Sequence, residues 1–199
     1  QVPTEWININ RGKREMTIET FAVQEILDMI AKSGYGFERT GIQLQIQKTN
    51  AIVKADKALT FFMLNTLAEN ARKFTPTGGT VTISTDAKDN YVELAVTDNG
   101  VGLTDEEQHM ILTSKIYDAQ EIGSSNEGIR KEKGNGFGLL NCKGIIEKYK
   151  KEGDIFNIRQ FNTKSKKGEG SRFSFRLPKG VGRILLMAWL VMNALLGTP

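Results

Sequence analysis

The sequence predicts an α+β fold: a two-layer α/β sandwich in which a mixed, mostly antiparallel sheet is covered by helices on one face. Three stretches carry that expectation. Residues 41–47 alternate strictly, so Ile42, Leu44 and Ile46 face a core while Gln43, Gln45 and Gln47 face water, the pattern of a half-buried strand. Residues 80–85 and 91–97 make a hairpin across 86–90, and their mixed apolar and polar faces imply an antiparallel sheet with helices on one side. Residues 59–74 place Leu59, Phe62, Met63, Leu67 and Ala71 at spacings of three and four, which draws an apolar stripe along an amphipathic helix.

The remaining elements follow in chain order. Residues 1–16 are a polar lead-in, within which 5–10 set Ile7 and Ile9 against Asn8 and Asn10, as a short edge strand or the remnant of an upstream element does. Residues 17–33 carry Ile18, Ala22, Ile26 and Ile30 at i+4 spacing, and predict a helix with Thr17 as N-cap, ended by Gly34-Tyr35-Gly36. Ala51-Ile52-Val53 reads as a short strand, and Asp56 is an acceptable N-cap for the 59–74 helix. Thr75-Pro76-Thr77-Gly78-Gly79 stops that helix with a proline and two glycines. Between Leu103 and Lys133 the character changes: a short helix starts at Thr104-Asp105-Glu106-Glu107, and 119–133 then has Gly, Ser, Asn and charge with little apolar patterning.

Leu139, Leu140, Cys142, Ile145 and Ile146 give the helix over 140–150 its buried side. Residues 154–161 and 171–177 are expected as the last two strands, joined by a lysine-bearing, solvated turn over 162–170. Residues 184–196 are apolar on every face apart from Asn193; their 13 positions fall short of the roughly 20 of a membrane span, and packing against protein is expected.

Composition excludes little but is consistent. A chain of 199 residues, 39% hydrophobic, suits one core of ordinary size. A formal charge of +4, from 27 basic and 23 acidic side chains, does not argue for nucleic acid. The single cysteine, Cys142, excludes an internal disulfide and reads as a buried apolar filler.

Three motifs carry chemistry. In the last turns of the 59–74 helix, Asn70 offers a metal an oxygen or a phosphate a donor, and Lys73 can neutralise phosphate charge. The strand over 91–97 runs into Asp98-Asn99-Gly100-Val101-Gly102, where a carboxylate can accept from an exocyclic amino group and bare backbone lets a flat ring approach. Gly134-Asn135-Gly136-Phe137-Gly138-Leu139 then feeds a helix N-terminus, an arrangement that presents N–H groups to a polyphosphate; it fits neither the dinucleotide fingerprint nor a Walker loop.

Their order, closing with Gly168-Glu169-Gly170-Ser171-Arg172-Phe173, resembles the ATP-binding domain shared by sensor histidine kinases, type II topoisomerases, heat-shock chaperones and mismatch-repair ATPases. The phrase ENARKFTPTGG looks most like the histidine-kinase branch. The resemblance covers about Thr17 to Pro178 and implies a lead-in over 1–16, an ATP-binding catalytic domain over 17–178 and an apolar tail over 179–199. It implies ATP and Mg²⁺ as cofactors, Asn70 on the metal, Lys73 near the phosphates and Asp98 on the adenine amino group. Gly100 and Gly102 would shape the pocket, Gly134, Gly136 and Gly138, followed by Leu139, would close over the triphosphate, and Ser171 would join the adenine network.

The stretch over 119–133 becomes a long ATP lid, and the lone His109, preceded by Gln108 rather than an acidic neighbour, reads as a lid or surface residue, not a phosphoacceptor. Thr66 stands where the kinase branch has Asn and the hydrolysing branches Glu; Glu69, the nearest carboxylate in sequence and the candidate catalytic group, is offset by about 100° from Asn70. The implied partners are a histidine-bearing dimerisation domain, a response regulator for the full-length parent and a second copy in a homodimer. The implied setting is a cytoplasmic domain of a sensor, membrane-anchored or not. An ATP-hydrolysing relative and a degenerate nucleotide-responsive interaction module are the alternatives.

Overall fold

The computed structural model describes residues 3–113, 136–181 and 183–197. Its central sheet has five strands: β2 (Gln43–Ile46), β4 (Thr80–Ala87), β5 (Tyr91–Asp98), β6 (Gln160–Lys166) and β7 (Gly170–Pro178), in the spatial order β2-β4-β5-β7-β6. β2 runs parallel to β4, and every other pairing is antiparallel. β1 (Ile18–Ala22) and β3 (Ile52–Asp56) form a separate antiparallel pair. The mixed, mostly antiparallel sheet is thus the expected one.

Helices cover one face. α2 (Val23–Lys32), α4 (Lys57–Phe74) and α6 (Gly136–Lys148) bury Ile26, Leu27, Leu59, Met63, Leu67, Cys142, Ile145 and Ile146 in a common core with Val81, Ile83, Leu94, Val96 and Phe175 of the sheet. The other face is polar. Arg172 and Arg176 donate to the Glu93 carboxylate at 3.0 and 3.3 Å, and the Arg176 guanidinium lies 4.4 Å from the Tyr91 ring centroid. One apolar and one charged face is what a single layer of helices requires.

Four local expectations are corrected and one, the third below, is extended. Residues 5–10 are not a strand but lie in α1 (Thr4–Asn10), because helical spacing puts Trp6 and Ile9 together in the core, where the Trp6 indole N–H donates to Asn141 Oδ1 at 2.9 Å. Residues 17–33 do not form one helix: residues 18–22 pair with β3, and only Val23 onward is helical. The β-branched and aromatic content of Ile18, Thr20 and Phe21 suits that ladder. Thr17 therefore caps nothing, and its N–H goes to the Asp56 carboxylate at 2.9 Å.

Third, Gly34-Tyr35-Gly36 follows the end of α2 at Lys32, as expected, but also opens a further helix, α3 (Tyr35–Thr40), which ends at Gly41 with φ 65°. Fourth, residues 154–158 are a 3₁₀ turn, while the strand occupies residues 160–166, so most of the expected 162–170 turn is β structure. Fifth, α7 (Arg183–Leu196) does not bury its large apolar side chains from residue 187 onward: Met187, Trp189, Leu190, Val191, Met192, Leu195 and Leu196 are exposed.

Candidate nucleotide site

The site is assembled around α4. Asp56 fixes its start, accepting the Leu59 N–H at 3.0 Å, as the sequence predicts. A second clamp holds Asp56 itself, whose N–H donates to the buried Tyr149 hydroxyl at 2.9 Å. Along the helix, Asn70 is 6% exposed, and its side-chain Nδ2 has no hydrogen-bond partner among the described residues. A buried amide left unmatched costs about 1–3 kcal/mol, so the position invites a polar occupant.

The glycine-rich motif meets α4 at this point. A Cβ on Gly138 would lie 2.8 Å from Thr66 Cγ2 and 3.8 Å from Asn70 Nδ2, so the first turn of α6 reaches Thr66 and Asn70 because residue 138 has no side chain. Gly136 is the first residue of α6, and the N–H groups of a first helical turn lack intrahelical acceptors. Leu139 is core, 5% exposed. Gly134 and the expected lid over 119–133 lie outside the described residues.

The C-terminal residue of α4, one turn beyond Asn70, meets the Asp98 loop. The Val101 N–H donates to Phe74 O at 3.2 Å, and a Cβ on Gly100 would clash with that same carbonyl. Gly102 has φ 65° and runs against the Lys166 carbonyl, two independent reasons for glycine there. Asp98 is 6% exposed, and Ser171 stands opposite it in the β5–β7 ladder. Burial raises the Asp98 pKa, against the backbone N–H groups of Gly100, at 2.8 Å from Oδ1, and of Ser171, which favour the carboxylate.

Asn70 and Gly138 thus form one cluster, Asp98, Gly100, Gly102 and Ser171 a second, and α4 links the two. Two further candidates lie on α4. Lys73 is exposed in the last turn of α4. Glu69 is turned to Arg72, which donates to its carboxylate at 2.8 and 3.1 Å, consistent with its rotation away from Asn70.

Two residues of this neighbourhood escape sequence reading. Ser165 bonds through Oγ to Leu103, Gly170 and Ser171, and Gln108 in α5 (Asp105–Thr113) holds the Ser165 main chain. Nothing in the sequence pairs positions 57 apart, and Ser165 sits in the stretch expected as a loop. His109 is exposed on α5. Cys142 is fully buried, where desolvation drives its thiol pKa up and keeps it unreactive.

Residues 55–181 match the family described as histidine kinase-, DNA gyrase B- and HSP90-like ATPases. The chain belongs to this family. Within it, the curated relatives are sensor kinases. The chain is 27% identical over 173 residues to an uncharacterized sensor-like histidine kinase of Rhizobium meliloti, covering 85% of the chain and 30% of that protein. It is 34% identical over 139 residues to the adaptive-response sensory kinase SasA of Prochlorococcus marinus, covering 69% and 32%. The chain therefore spans about a third of the length of these two relatives.

Solved structures agree on the ATPase-family fold. A mycobacterial sensor histidine kinase, MprB, superposes with a TM-score of 0.61 at 20% identity, over 82% of this chain and 98% of that one. Full-length ShkA in complex with AMPPNP gives 0.67 at 18% identity, over 89% and 34%. Histidine kinase ThkA in complex with the response regulator TrrA gives 0.63 at 19%, over 89% and 47%.

Proposed function

We propose that the chain is the Mg-ATP-binding catalytic domain of a sensor histidine kinase, which transfers the γ-phosphoryl group to a histidine on a separate dimerisation domain. The observation that carries this reading is the buried Asn70 amide, without a partner among the described residues and set against Gly138, while the Asp98 loop is bonded to Phe74 one turn further along the same helix. The Asp98 carboxylate accepts the adenine amino group. The start of α6 receives polyphosphate oxygens on its main-chain N–H groups. The Asn70 amide suits Mg²⁺ as well as phosphate, since a half-turn about its last bond exchanges Nδ2 for the oxygen that a hard cation prefers.

The ion, when bound, neutralises phosphate charge; Asn70 orients, Asp98 selects the base, and the nucleophile comes from the partner's histidine. Support for the wider setting comes from relatives: ShkA was solved with AMPPNP and ThkA with a response regulator. A response regulator and a second copy are accordingly proposed as partners of the full-length parent. No helix among the described residues is long and apolar enough to cross a membrane, and a membrane anchor is left to the parent.

Slow hydrolysis fits the same site. Thr66 packs its methyl against Gly138, and Glu69 is held by Arg72, so neither presents a carboxylate beside Asn70. With γ-labelled ATP, the isolated chain should release phosphate very slowly and label a cognate dimerisation domain when that is added. Rapid multiple-turnover release, abolished by Glu69→Gln, would instead identify an ATPase, and binding without transfer to any cognate histidine would identify a nucleotide-responsive interaction module.

A further inference from the structure

Ser165 Oγ has three neighbours within hydrogen-bond distance: the Leu103 N–H at 2.7 Å, the Gly170 carbonyl at 2.8 Å and Ser171 Oγ at 2.7 Å. A hydroxyl carries one proton and two acceptor lone pairs. The Gly170 carbonyl can only accept, so it takes the Ser165 proton, and the Leu103 N–H can only donate, so it takes one lone pair. The remaining lone pair faces Ser171, whose hydroxyl must therefore donate. Ser171 Oγ is left with lone pairs and no proton to offer elsewhere.

The main chain of Ser165 is fixed from its other side. The Gln108 carboxamide accepts the Ser165 N–H at 3.0 Å and donates to the Ser165 carbonyl at 2.9 Å, the pair of bonds that a neighbouring strand would make to β6, which is an outer strand of the sheet. Gln108 in turn belongs to a helix whose first turn is locked by reciprocal bonds between Thr104 and Glu107, at 2.8 and 3.2 Å. The proton of Ser171 is thus set by Ser165, and the main chain of Ser165 by Gln108.

We propose that Ser165, held by Gln108, is a positioning residue for base selection: by taking the Ser171 proton it makes Ser171 an acceptor beside Asp98. Two acceptors side by side match a purine that presents an amino group at its six-position and oppose one that presents a carbonyl there. A carbonyl would face two oxygens with no proton between them, whereas a free serine hydroxyl could rotate and donate to it. This inference rests on the nucleotide reading above.

The test compares ATP with inosine triphosphate, which differs at that edge by carbonyl for amino, using calorimetric titration of the folded chain. The unmodified chain should prefer ATP. Ser165→Ala frees the Ser171 proton and should narrow the ATP-to-ITP affinity ratio by about threefold to tenfold, the worth of one hydrogen bond. Ser165→Thr, which keeps the hydroxyl on a strand, should restore the ratio. Gln108→Ala, acting only from outside, should narrow it in the same direction, and it decides the matter if Ser165→Ala does not fold. An unchanged ratio in a folded Ser165→Ala protein, or in Gln108→Ala where that variant decides, overturns the inference, as does a Ser165→Thr protein that behaves like the alanine variant. Loss of selectivity is distinguishable from failure of the nucleotide reading, since in the latter case the unmodified chain binds neither triphosphate.

Discussion

Asp98 has to be charged to accept an amino group well, yet its burial favours the neutral acid. Because the folded pKa is raised above 3.8, the stabilisation of the fold by the protonated acid is fully present below the unfolded value and is lost as pH rises through the folded one. ATP affinity runs the opposite way. It should fall as acid protonates Asp98 through that raised range, and Asp98→Asn should remove this part of the pH dependence; calorimetry at stepped pH reads both.

A second residue-scale outcome concerns Asn70. Asn70→Ala should weaken Mg-ATP binding more than binding of nucleotide in chelator, and equal losses in the two titrations would show the amide to be only structural. Both candidates were named from the sequence because each stands near the end of a periodic segment that runs into a glycine-bearing turn. Ser165 and Gln108 were not, because a hydrogen bond between an edge strand and a distant helix leaves no local spacing to find.

Among elements, the long amphipathic helix and the 80–98 hairpin were readable because one period dominates each. Residues 18–22 were not. Ile18, Phe21 and Ala22 satisfy a helical stripe as well as a strand, and only the partner β3 decides between them. Residues 5–10 failed for a similar reason, since a buried Trp6 outweighs the alternation of two isoleucines.

The join between β1, β3 and α4 is Asp56, whose carboxylate holds both the Leu59 and Thr17 N–H groups. Asp56→Ala loses a cap and orphans a second N–H, so urea denaturation should show a loss of roughly 2–4 kcal/mol. Tyr149→Phe strips the acceptor from the buried Asp56 N–H and should cost about 1–3 kcal/mol in the same experiment.

At the scale of the molecule, a sheet with one covered face and one charged face brings the strand end of Asp98, the β6–β7 turn and the start of α6 against the C-terminal turns of α4. α7 contributes little to that arrangement. With Trp189 59% and Leu195 80% exposed, removal of residues 187–199 should move the melting temperature by no more than about 3 °C and leave nucleotide affinity unchanged. The sequence pointed to an apolar tail without telling that its side chains stay exposed, because a helix apolar on all sides carries no signal of direction.

The central claim is that Asp98 and Asn70 mark the two ends of one Mg-ATP site. Calorimetric titration of the chain with Mg-ATP, alongside Asp98→Asn, tests it most directly. Saturable one-to-one binding that weakens by about tenfold to a hundredfold in the variant is the predicted result, the loss of a hydrogen bond to a charged group. Binding of equal strength in a folded Asp98→Asn protein, or no binding in the unmodified chain, would contradict it.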